Sequence, residues 1–112
     1  MSSVSPKDDL MGKVVETIKL TNFSQPDKSQ EVEAIIDTGA TMLVLPAEVI
    51  QSLGLQKDRD VNVRYANHAT QRKSIYGVVT VELQGRSGHF DVLEEAAGTA
   101  PLVGQIILEQ LD

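Results

Sequence analysis

Asp37 stands where an apolar segment, Ala34-Ile35-Ile36, gives way to Thr38-Gly39-Ala40. A carboxylate at the end of a buried strand is costly unless it is hydrogen-bonded or shares a proton with another acid. Gly39 allows a sharp backbone turn and lets its own amide approach the carboxylate. Thr38 offers a hydroxyl that can tie the loop to a neighbour. A carboxyl held in this way is suited to moving protons in general acid–base catalysis. As a bare tripeptide, Asp-Thr-Gly is more often an ordinary turn. Its flanks argue otherwise, because Met42-Leu43-Val44-Leu45 follows and keeps the turn inside an apolar pattern, whereas surface turns have polar flanks.

Elements able to position such an acid can be read on both sides of it. Lys13 to Thr21 alternates as a strand, with Val14, Ile18 and Leu20 on one face. Asn22 to Gln30 collects turn formers, and Glu31 to Ile36 returns as a second strand, so the two predict a hairpin. After Leu43-Val44-Leu45, Pro46 to Leu53 predicts a short helix ended by Gly54, with Val49, Ile50 and Leu53 on its buried side. Val61, Val63 and Tyr65 mark a strand, Asn67 to Thr70 a turn, and Arg72 to Leu83 a long strand. Gly85 to Gly88 turns the chain, His89 to Leu93 is a further strand, and Glu94 to Ala100 is a loop. Pro101-Leu102-Val103-Gly104 leads into a helix over Gln105 to Leu111. Many short strands and two short helices predict a mainly β domain.

Composition narrows the chemistry. A chain of 112 residues with 41% apolar residues can enclose one core, and with only 4% aromatics that core must be Val, Ile and Leu. The polar run over 1–12 reads as a flexible tail ahead of a single domain over 13–112. A net charge of -6 with scattered Lys and Arg argues against nucleic acid as a partner. No apolar run is long enough to span a membrane. The absence of cysteine excludes thiol catalysis, and two histidines cannot furnish a three-histidine metal site. No cofactor or metal is expected, and a cytoplasmic setting is.

Glu33 to Ala40 resembles the active-site strand and loop of the retropepsins, the retroviral-type aspartic proteases. Leu102-Val103-Gly104-Gln105-Ile106-Ile107-Leu108 is similar to the second signature of that family, two apolar residues and a glycine opening a helix. Between them, Tyr65 to Tyr76 lies where those proteases carry the flap, a hairpin that closes over substrate. The resemblance runs in order from Val14 to Leu111. It implies a closed barrel of short strands, with one short helix after the active-site loop and one C-terminal helix.

Carried over by position, Asp37 is the catalytic aspartate. Thr38 makes a hydroxyl contact across a dimer axis, Gly39 and Ala40 shape the loop beside substrate, and Gly104 permits a close chain crossing. Asn67, His68 and Ala69 lie near the flap tip, and Tyr65 either flanks the flap and touches substrate or packs across strands, though the glycine-rich flap of the retroviral enzymes is missing here. The implied activity is an aspartic endopeptidase acting on peptide or protein substrate. Such chemistry needs two carboxylates sharing a proton, and this chain has one Asp-Thr-Gly. A homodimer is therefore expected, with an inactive monomer. Retropepsins add an intersubunit strand after the terminal helix, whereas this sequence ends at Leu111-Asp112. Either the natural protein continues, or dimerisation rests on the N-terminal segment and the active-site loops. The alternative function is a non-catalytic peptide-binding or dimerisation module on the same fold.

Other polar residues have plainer readings. His68 reads as a solvated turn histidine, with substrate contact as the alternative. Glu94-Glu95 reads as a solvated charge run in a loop. Met42 reads as core or pocket wall.

Overall fold

The computed structural model describes residues 14–37, 39–40, 42–65 and 67–111, without the side chains of Gln105 and Ile106. The tail expected over 1–12 and the Thr38 hydroxyl contact lie outside the described residues.

Alternating apolar residues build the first hairpin. β1 (Val14–Asn22) and β2 (Ser29–Asp37) pair antiparallel, from Val14 opposite Ile36 to Thr21 opposite Ser29. Ile18, Leu20 and Ala34 are fully buried, while Val14, predicted on the same inward face, is 52% exposed at the strand's end. Asn22 fastens the connecting turn. Its buried amide nitrogen donates to the carbonyls of Leu53 and Gly54, and its oxygen accepts from the amides of Ser24 and Gln25. Every polar atom of that side chain is therefore used, which is what burial of an amide requires.

β3 (Leu43–Pro46) is buried throughout and runs directly into α1 (Ala47–Leu53). Gly54 ends this helix in the left-handed region at φ 66, and Leu55 donates back to Ile50 across it. β4 (Gln56–Arg64), β5 (Thr70–Leu83), β6 (Arg86–Glu95), β7 (Leu102–Gly104) and α2 (Gln105–Glu109) complete the chain. β4 begins five residues earlier than its alternation predicts, because Gln56 to Asp60 has polar residues on both faces and leaves no period to read. Similarly, β6 takes in Gly88, Glu94 and Glu95, which the sequence places in turn and loop. α2 ends at Glu109, before the expected Leu111, and the Arg86 guanidinium donates to the carbonyls of Leu108 and Leu111 at its end.

The strands join in the order β1-β2-β7-β3-β6-β5-β4, and β1 also pairs with β5. Six strands thus close into a barrel, with β4 attached outside the ring through β5. Closure gives each of those six a neighbour on both sides over part of its length. Ile18, Leu20, Leu43, Leu45, Val79, Val81, Val92 and Val103 fill the interior, with Ile50 and Leu53 of α1 and Ile107 of α2 against them. The architecture is mainly β, a closed barrel with two short helices, as the sequence predicts. No helix among the described residues is long and apolar enough to cross a membrane.

Candidate active site

Two apolar runs deliver Asp37 to the end of the barrel. β2 and β7 lie parallel, with Ile35 opposite Leu102, Ile36 opposite Val103, and Asp37 opposite Gly104. Val103 is fully buried and Gly104 is buried beside it, so the second signature forms the backing of the first. Beyond Asp37 the chain turns at once. The Gly39 amide donates to Asp37 Oδ1 at 2.9 Å, and the Ala40 amide donates to the Asp37 carbonyl at 3.0 Å. A backbone amide on Oδ1 orients the carboxylate where Asp37 lines the groove.

The Gly39 amide approaches the carboxylate as expected, but the turn does not draw on glycine's conformational freedom. Its backbone is not among the glycines at positive φ, and an added Cβ would rest 3.4 Å from Asp37 Oδ1, an ordinary contact. The turn itself does not demand glycine.

Asp37, Gly39 and Ala40 form the floor of an open groove of ≈ 780 Å³, larger than three other concavities of ≈ 330, 210 and 350 Å³. Met42, Val44, Leu93 and Leu102 give it an apolar wall, and Val61, Val63 and Tyr65 of the β4–β5 hairpin face them. Met42 is thus a pocket wall, packed on the small cluster of Val44, Ile75 and Leu93. Among the described residues no group of His, Asp and Glu could hold a metal ion.

The hairpin tip is closed by two backbone bonds, from Tyr65 to the Ala69 carbonyl and from His68 to the Tyr65 carbonyl, each 2.9 Å. The Asn67 side chain accepts from the Ala69 amide, and His68 takes a positive φ of 67. Tyr65 lines the groove, whereas Asn67, His68 and Ala69 are exposed at the tip and do not. The structure therefore brings Asp37, Gly39, Ala40 and Tyr65 together, sets Gly104 behind them, and leaves three of the four flap residues outside the groove lining.

Glu95 is the residue that sequence reasoning misplaced. It ends strand β6, is only 22% exposed, and lines the groove. Lys73 Nζ donates to its Oε1 at 2.9 Å, and the Tyr65 hydroxyl donates to its Oε2 at 3.2 Å. The hydrogen bond to Glu95 holds the Lys73 ammonium above its ordinary pKa, against the opposing effect of burial. No local signal marks Glu95, since its partners are 22 and 30 residues away.

The comparisons with known proteins agree with this geometry. The family model described as "gag-polyprotein putative aspartyl protease" matches residues 28–110. Among solved structures, EIAV protease in complex with the inhibitor HBY-793 superposes with a TM-score of 0.65 at 17% identity, covering 95% of this chain and 92% of that one. At that identity the likeness establishes the fold. No curated protein matches the sequence significantly. Because the family model spans most of the chain and takes in Asp37 and Gly104 alike, the chain belongs to the gag-polyprotein aspartyl protease family, with a retropepsin-like fold.

Proposed function

We propose that the chain is an aspartic endopeptidase that works as a homodimer, each copy supplying one Asp37 to a shared site. The observation that carries this is the setting of Asp37. It closes a barrel strand, is oriented by the Gly39 amide, and opens onto a groove with apolar walls. Hydrolysis of an amide needs a base to draw a proton from water and an acid to protonate the carbonyl oxygen. Two carboxylates about 3 Å apart cannot both ionise, so a pair of them supplies both roles at one pH.

Among the described residues of one chain that pair is not available. Glu95 is the other acid lining the groove, but its charge is met by Lys73 and its second oxygen is taken by Tyr65. The second carboxylate must come from another copy, and two-fold symmetry brings the two Asp37 side chains to one axis. Substrate would lie extended along the groove, its main chain paired to floor and hairpin and its side chains in the apolar recesses.

The test is cleavage of a mixed peptide library at mildly acidic pH by wild-type protein and by Asp37→Asn. The expected outcome is cleavage that a statine-type inhibitor blocks and that Asp37→Asn lowers by roughly 10²–10⁴-fold or more. Cleavage unchanged in Asp37→Asn removes Asp37 from the mechanism. A stable dimer that binds peptides and never cuts them identifies a binding module instead.

A further inference from the structure

The β4–β5 hairpin leaves the barrel early. β5 pairs with β6 only from Ile75 onward, and β4 pairs with β5 alone. From Val61 round to Ser74, therefore, the two arms are bonded to each other and the sheet does not fasten them to the barrel. Contacts of side chains must do so. Val61 and Val63 of one arm rest on the apolar cluster at the groove wall. The polar contacts converge on one carboxylate. Tyr65, at the end of the β4 arm, donates to one oxygen of Glu95, and Lys73, on the β5 arm, donates to the other. Glu95 itself belongs to a barrel strand and lies at the groove rim.

We propose that Glu95 is a positioning residue that pins both arms of the hairpin to the barrel rim and so sets how firmly the hairpin closes on substrate. With both oxygens bonded and its charge matched by Lys73, Glu95 has little left to select a charged substrate side chain. Its effect is exerted through Tyr65 and Lys73. Lys73 and Glu95 are only 18% and 22% exposed, so water competes poorly for their bond, and loss of one partner leaves a half-buried charge unmatched. The proposal rests on the groove binding peptide, but the pinning itself does not require activity and can be measured without it.

Hydrogen–deuterium exchange on the full chain separates the two. In Glu95→Ala, and in Tyr65→Phe, which deletes one hydroxyl and spares the fold, amides over 61–73 should exchange roughly tenfold faster, with β1 and β2 unchanged. Glu95→Gln, which keeps an acceptor for Tyr65 but leaves Lys73 without its counter-charge, should fall between Glu95→Ala and wild type. In cleavage assays, Tyr65→Phe and Glu95→Ala should each raise KM by roughly fivefold with kcat within about twofold, and Tyr65→Phe should add little in the Glu95→Ala background. Unchanged exchange over 61–73, or equal acceleration in the barrel strands, overturns the pinning. Faster exchange with KM unmoved overturns the link to substrate closure. Wild-type protein that cleaves nothing while its variants loosen over 61–73 refutes the protease reading and leaves the pinning intact.

Discussion

Asp37 ends a strand whose two neighbours, β1 and β7, both belong to the closed barrel, whereas β4 across the groove pairs with β5 alone. Around the first, Ile18, Ala34 and Val103 are wholly out of water, so hydrophobic burial sets the position of the acid. The second is held by Val61 and Val63 on a small apolar cluster and by side-chain hydrogen bonds to Glu95. One wall of the groove is rigid because the core is close-packed. The other is fastened to the barrel by fewer contacts, those of Val61, Val63, Tyr65 and Lys73. On the proposed function, a groove that admits a chain and then grips it needs both.

That contrast can be broken from either side. Leu43→Ala, in the barrel core, should cost about 2–5 kcal/mol of stability by denaturant unfolding, because it opens a cavity among fully buried neighbours. Asn22→Ala should cost about 1–3 kcal/mol, since it strips the Leu53 carbonyl of its buried donor. Val63→Ala, on the half-buried hairpin wall, should cost about 1 kcal/mol or less. A Val63→Ala loss equal to that of Leu43→Ala would mean that hairpin and barrel are one cooperative unit.

The smallest effect lies on the hairpin and depends on pH. Asp60 accepts hydrogen bonds from Lys57, Ser74 and Arg72, which lower its pKa to about 2 from 3.8. A depressed carboxylate pKa stabilises the fold where the group is ionised. This contribution is complete above about pH 4 and is lost as pH falls through about 2. Asp60→Asn should therefore lose stability less steeply than wild type over that range in acid unfolding. Equal slopes would show that the Asp60 bonds add nothing to the fold.

Much of the rigid half was legible in the sequence. The Asp37 loop stood out because an acid and a glycine interrupt an apolar run, and Gly54 marked the end of α1 by its backbone preference, whereas Pro46, read as the first helical residue, ends β3 just before the helix. The hairpin half was harder to read, for a physical reason. Gln56 to Asp60 forms a strand through its pairing with β5, with polar residues on both faces, so periodicity could not reveal it. Glu95 reads as solvated charge until the fold brings Lys73 and Tyr65 to it. Asn22 reads as a turn former, and its burial depends on α1 arriving above it. Patterns of hydrophobicity report which residues leave water, while polar partnerships depend on contacts distant in the chain.

The proposed requirement for two chains can be tested by mixing. Wild-type protein is held at a fixed concentration while Asp37→Asn is added in increasing excess, and the rate of peptide cleavage is followed. Exchange of subunits should convert active dimers into mixed ones with a single carboxylic acid at the site, and the rate should fall toward zero. A rate that stays constant through a large excess of Asp37→Asn would mean that one copy suffices, and that a second Asp37 has no part in the reaction.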